Sequence, residues 1–284
     1  MTSPAPLAAY AGAQAASQAA PALTLLPGGA LGATLTLLER QGPVRESIAT
    51  TVWELVRRVF GGVTDPRDPA QIDAVSAEVY RLVRSGQNAT AAATATYLRG
   101  LLDQLGDRAA PVGSGAVVLD PSLRGLVDPA SAYHRAFEQW RYARSVDLPE
   151  PAARDRGEQR LAAQVDMDLT MAMRESARTV LADADDVIGY RRVIHPELSR
   201  GGSCGLCVVA ADRLYRKSEL LPIHGRCRCT IAPVTRAHDP GAELNAADLE
   251  QLYGAAGSTG RADLKRVRVT VEQHGELGPQ LRAA

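Results

Sequence analysis

S-C-G-L-C-V-V-A-A-D-R-L-Y-R-K-S-E-L-L-P-I-H-G-R-C-R-C, residues 203–229, holds all four cysteines of a 284-residue chain. The spacing is C-x2-C, sixteen residues, then H-x2-C-x-C. Cys204 and Cys207, with Gly205 in the turn between them, lie close enough in sequence to share one metal ion. The second half, His224-Gly225-Arg226-Cys227-Arg228-Cys229, supplies a histidine and two further thiols. Structural zinc is closed by four such ligands in a tetrahedron. The candidates are Cys204, Cys207, His224, Cys227 and Cys229, with His195 a remote sixth. Cys204, Cys207 and Cys227 with either His224 or Cys229 is the favoured set. In an extended segment Cys227 and Cys229 share a face, whereas His224, three residues before Cys227, can close a turn. Arg226 and Arg228 favour the thiolate form electrostatically. The expected cofactor is therefore a structural zinc ion.

Other readings of these thiols stay open. Two disulfides would suit an oxidising compartment, but Met1–Pro27 has no Lys or Arg and so lacks the charged start of a secretory signal. A redox C-x2-C would need a βαβ context that the flanking pattern does not offer. A nucleophile would be Cys204 or Cys207 with His195 or His224 as base.

Outward from this stretch the chain reads as mainly α, with a small α+β module at its C-terminal side. After Asp186, Val187 to His195 reads as a strand. Leu214–Arg216 and Cys229–Val234 read as two more, giving a short antiparallel sheet around a Cys/His zinc knuckle. Upstream, Leu161, Val165, Leu169, Met173, Ala177 and Val180 mark one face of a long helix opened by Pro149 and Pro151, with Met167 and Met171 widening that face. Asp166, Asp168, Arg174, Glu175 and Arg178 are expected on its exposed side. Tyr133, Phe137 and Trp140 line the preceding helix, which Asp128-Pro129 caps, as Asp68-Pro69 caps an earlier one. Val44, Ile48, Val52, Leu55, Val56 and Val59 form a stripe flanked by Trp53 and Phe60. Gly42-Pro43 and Ser85-Gly86 are expected to break helices.

The domain map that follows is an Ala/Pro-rich arm over 1–27, a helical domain over 28–110 and a linker over 111–127. A domain over 128–254 then carries the Cys/His module at 191–234. A strand with alternating Val267, Val269 and Val271, and a projecting tail, complete 255–284.

Lys plus Arg and Asp plus Glu are 32 each, so net charge gives no global drive toward nucleic acid or anionic lipid. Between Arg191 and Arg236, however, nine basic residues face three acids. Arg191, Arg192, Arg213, Arg216, Lys217, Arg226 and Arg228 are candidates for contact with DNA or an acidic partner. No apolar run reaches the roughly 18 residues of a membrane span, so no membrane is expected as partner.

The run His195-Pro196, Cys204-Gly205-Leu206-Cys207, Leu221-Pro222-Ile223-His224 and Cys227-Arg228-Cys229 resembles the phage Mu F-like head morphogenesis family. Glu272-Gln273-His274-Gly275-Glu276-Leu277-Gly278-Pro279 is similar to the tail of related proteins from actinobacterial phages. The resemblance covers about 150 to 280. It implies a minor capsid protein of a tailed bacteriophage, made in the bacterial host cytoplasm and located in the virion head. Its partners would be the portal protein, the major capsid or scaffold protein, and packaged DNA. Such proteins are also labelled capsid maturation protease, which makes processing of capsid or scaffold proteins the alternative. The residues themselves give that alternative little support. There is no H-E-x-x-H, and Gly113-Ser114-Gly115 reads as loop.

Overall fold

Thirty-three residues from Glu150 to Ala182 form one uninterrupted helix, and the other elements are arranged along it. The computed structural model describes residues 28–106, 128–193, 203–217, 229–236, 252–274 and 278–283. In chain order these form α1 (Gly28–Gly61), α2 (Pro69–Gln104), a 3-10 turn (Pro129–Tyr133), α3 (His134–Ser145) and α4 (Glu150–Ala182). Then come β1 (Val187–Val193), β2 (Ser203–Cys204), α5 (Gly205–Asp212), β3 (Thr230–Thr235), α6 (Arg261–Arg266), β4 (Arg268–His274) and β5 (Gly278–Ala283). The chain is thus mainly helical, with small antiparallel sheets on its C-terminal side.

The helix starts follow local chemistry. An aspartate carboxylate satisfies an otherwise unpaired N–H in the first turn. Asp68 Oδ1 accepts from Ala70 N at 2.9 Å, and Asp128 Oδ1 from Ala130 N at 3.0 Å. Pro151 sits in the first turn of α4, where its missing N–H costs nothing.

The first half of α4 buries Leu161, Val165 and Leu169 against Val52, Val56 and Phe60 of α1, Val79 and Val83 of α2, and Phe137 and Trp140 of α3. The Phe60 ring lies 5.1 Å from Phe137 and 5.7 Å from Trp140. The second half buries Ala177, Val180 and Leu181 against Leu98, Leu101 and Leu102 of α2, then Val187 and Tyr190 of β1 and Ile231 of β3. β1 and β3 are antiparallel, registered from Val187↔Thr235 to Val193↔Thr230, and Tyr190 also bridges Tyr215. Tyr97 of α2 donates its hydroxyl to Ile231 O at 2.7 Å, fastening this sheet to the helices. A second sheet has the order β2-β4-β5.

A buried polar layer separates the two apolar clusters. Arg45 Nη2 donates to Thr170 Oγ1 at 2.6 Å and reaches Asp166 Oδ1 at 3.3 Å. Tyr133 donates to Asp168 Oδ2 at 2.8 Å, and Gln164 Nε2 to Ala132 O at 2.6 Å. This corrects the sequence reading of α4, in which Asp166, Asp168 and Arg174 face solvent; all three are buried, while Arg178 is exposed. The helix is covered on several sides, and a single apolar stripe understates a face completed by hydrogen-bonded polar groups. Met167 and Met171 are half-buried.

Three expected breaks or stripes also differ. α1 runs through Gly42-Pro43, and α2 runs through Ser85-Gly86. Gly86 is instead a crossing point: a Cβ there would lie 2.5 Å from Val52 Cγ2 and 3.1 Å from Leu169 Cδ2. Gly157 plays the same part in α4, since a Cβ would come within 2.9 Å of Ala136 O and 3.1 Å of Trp140 Cβ. Packing of long helices overrides the modest local preference against these residues. On α1 the buried face is Arg45, Val52, Val56 and Phe60, leaving Val44 and Leu55 exposed.

The expected linker at 111–127 lies outside the described residues, as does the arm at 1–27. The helices on either side of that linker share one core. The expected strand at the C-terminal side is β4, which pairs with β2 rather than with β1 or β3. The expected projecting tail forms β5, registered on β4 from Val269↔Ala283 to His274↔Gly278.

Candidate metal centre

β2 and α5 position the first thiol pair. Cys204 ends β2, where it pairs with Arg268 of β4, and its extended backbone (φ −78°, ψ 150°) caps α5. Gly205 N donates to Val267 O at 3.1 Å, which holds the strand-to-helix turn against β4. Cys207 follows in the first helical turn, so both side chains converge. Their Sγ atoms are 3.3 Å apart, and both residues are buried, at 3% and 7% exposed. Two zinc–sulfur bonds of about 2.3 Å at a tetrahedral angle place two sulfurs roughly 3.8 Å apart. The pair fits half of such a site after opening by a few tenths of an ångström.

Cys229 has a different environment. It immediately precedes β3 and is 3% exposed. Arg174 Nη2 of α4 donates to its carbonyl at 2.8 Å and to its Sγ at 2.9 Å. Arg192 Nη1 of β1 lies 3.6 Å from the same sulfur. Arg174 is 1% exposed and Arg192 4%, so two guanidinium groups are buried at one sulfur. Burial pushes the Arg192 guanidinium down, but attraction to Cys229 and to Tyr190, with the hydrogen bond to Cys229, carries it above its ordinary value. Arg192 also lies 4.7 Å over the Tyr215 ring, which stacks on Tyr190 at 5.2 Å. An arginine fork beside sulfur is an arrangement that stabilises a thiolate in place.

The described residues therefore bring Cys204 and Cys207 together and give Cys229 a separate set of contacts. Among the described residues, no group of three His, Cys, Asp or Glu side chains gathers as a metal would need. Cys204, Cys207 and Cys229 form no disulfide. His195, His224 and Cys227 lie outside the described residues.

The basic candidates divide in the same way. Arg191 and Arg192 are buried. Arg213 and Arg216 are exposed, and Arg213 lies 5.4 Å from the Tyr215 ring centroid. Lys217 is turned inward, its Nζ donating to Ala184 O at 2.7 Å just beyond the C-terminal end of α4. Arg226 and Arg228 lie outside the described residues.

Two features escape the sequence reading. Arg174 carries no signal of its role in the α4 pattern, because its partner is 55 residues away. Gly201-Gly202-Ser203-Cys204-Gly205 has the G-x-S-x-G spacing of a nucleophile elbow, a motif the sequence reading counts as absent, and its described part, Ser203 to Gly205, passes from strand to helix. Ser203, however, is paired in β2 with Val269. Among the described non-glycine residues, only Asp147 has a positive φ, so the strained backbone of that elbow is absent at Ser203. No described helix is long and apolar enough to cross a membrane. No protein-family model, curated protein or solved structure matches the chain.

Proposed function

We propose that this chain is a minor capsid protein of a tailed bacteriophage, acting in head morphogenesis near the portal. The pattern that supports the reading is the ordered run of His195-Pro196, the Cys204/Cys207 pair, His224 and Cys227-Arg228-Cys229, which follows a long helix and the strand β1. One observation carries it: Cys204 and Cys207 are buried with their sulfurs 3.3 Å apart, within a few tenths of an ångström of the spacing two ligands of one zinc ion take.

In this reading Cys204, Cys207, Cys227 and His224 hold zinc. The contacts of Cys229 with Arg174 and Arg192 favour His224 over Cys229 as the fourth ligand. Bound zinc supplies a crosslink between the C-x2-C turn and the segment before β3, which two small sheets are too short to supply alone. The module then acts as an adaptor toward the portal and the major capsid or scaffold protein. Arg213 and Arg216 are the remaining described candidates for contact with packaged DNA.

Elemental analysis of protein purified without chelator tests the metal, with about one zinc per chain expected. Folded, metal-free protein with four titratable thiols would remove it. Co-expression with the portal and major capsid proteins tests the assembly role. The expected result is co-purification, with any capsid-protein processing unchanged in folded Cys204→Ser, Cys207→Ser and His224→Ala variants. Loss of that processing in a folded variant would establish the protease instead.

A further inference from the structure

The Cys204/Cys207 pair has the geometry for a second chemistry. The two sulfurs are already in contact at 3.3 Å, Cys204 donating toward Cys207. Cys207 lies in the first turn of an eight-residue helix, α5, and Cys204 ends β2, a strand of only two residues. Elements this small open locally at low cost, which lets a small reagent reach thiols that are buried on average. Cys207 is the less buried of the two. Cys229, the third described thiol, is engaged by Arg174 and Arg192. The direct sulfur–sulfur contact makes Cys204 the resolving partner of Cys207.

We propose that Cys204 and Cys207 are a reversible dithiol–disulfide couple, closed by a low-molecular-weight disulfide, whose closure removes both sulfurs from any metal. The Cys207 thiolate attacks one sulfur of the reagent and releases one small thiolate. Cys204 then attacks Cys207 Sγ, forming the intrachain bond and releasing the second. Two protein thiols are oxidised, one small disulfide is reduced to two thiols, and the protons pass from the cysteines to the released thiolates. The regulatory half of the inference rests on the zinc reading above, because closing the bond leaves zinc with two protein ligands in place of four.

The test equilibrates the full-length protein across a series of reduced and oxidised glutathione. Remaining thiols are then alkylated, and the tryptic peptide Gly201–Arg213, which contains Cys204 and Cys207 alone, is weighed. The expected product is that peptide two hydrogens lighter and unalkylated, restored by excess reduced glutathione. In zinc-loaded protein, one equivalent of zinc should reach a chromogenic chelator for each bond formed. Cys204→Ser should instead accumulate glutathione on Cys207 with no intrachain bond. Alkylation of both cysteines at the most oxidising ratio would overturn the proposal. So would disulfides joining this peptide to those carrying Cys227 or Cys229. Closure in protein that carries no zinc would sustain the couple and remove the metal reading, whereas zinc retained on alkylatable cysteines would do the reverse.

Discussion

The two halves of α4 are held by different neighbours, and the second half has more buried positions. The first half sets Leu161 and Val165 against Phe60, Phe137 and Trp140, where the rings meet, and adds hydrogen bonds from Trp140 Nε1 to Glu150 and from Gln164 Nε2 to Ala132 O. The second half sets the smaller Ala177, Val180 and Leu181 against Leu98, Leu101 and Leu102, and its polar groups bond to elements distant in sequence: Arg174 to Cys229 and Ser176 to Ala91 O, while Tyr97 of α2 holds Ile231 O of β3. An aromatic cluster tolerates small shifts because dispersion and hydrophobic gain are not directional. A hydrogen-bonded attachment sets one register, because a displaced donor leaves a buried acceptor unsatisfied. The first arrangement supplies stability; the second places a sheet carrying Cys229.

The comparison is broken most directly at Trp140. Trp140→Ala should cost about 3–5 kcal/mol in denaturant unfolding, through lost burial and an unfilled cavity beside Phe60 and Gly157. A loss below about 1 kcal/mol would mean that the aromatic half is not the source of stability. Arg174→Ala should cost less, about 1–3 kcal/mol, by leaving the Cys229 carbonyl and sulfur without that donor. Its signature is spatial: amide exchange should rise in 229–235 and the end of α4, while the amides of α3 stay protected. Uniform loss of protection would erase the distinction between the halves.

Tyr97 and Tyr190 sharpen the comparison through pH. Burial pushes the Tyr190 phenol up to about 12, against the lowering pull of Arg192 and Arg174, and burial drives Tyr97 higher still. In the unfolded chain both ionise near 10. Their contribution is therefore complete below about pH 10 and is lost as pH rises through the folded values. Tyr97→Phe should cost about 1 kcal/mol at neutral pH and flatten the alkaline decline expected of wild type. An unchanged alkaline profile would argue against the buried phenol. The smallest effect belongs at the start of α2: Asp68→Gly should cost a few tenths of a kcal/mol in the same unfolding assay, since glycine is itself a fair cap.

The legibility of the sequence divides along the same line. Spacing reveals the Tyr133, Phe137, Trp140 face, the Leu161 to Val180 stripe and the caps at Asp68 and Asp128, because each is a local pattern of apolar period or side-chain donor geometry. The strands β1 and β3 are read nearly to their ends. Gly86 and Pro43 mislead, because a breaker's local cost is outweighed by what packs over it. The buried roles of Asp166 and Arg174 are invisible, since their partners Arg45 and Cys229 lie 121 and 55 residues away. Of the candidate metal site, the proximity of Cys204 and Cys207 is legible from C-x2-C. The distinct setting of Cys229 is not, because two arginines from separate elements create it.

At 1.5 Å per residue, the 33 residues of α4 make a rod about 50 Å long. Aromatic rings grip one end and hydrogen bonds fix the sheet to the other. A pivot of about 5° at the gripped end sweeps the far end through about 4 Å, more than a hydrogen bond can stretch. Force applied to the cysteine-bearing side therefore cannot be absorbed where it arrives. It travels as leverage to the other end of the rod, where Phe60, Phe137 and Trp140 pack against it.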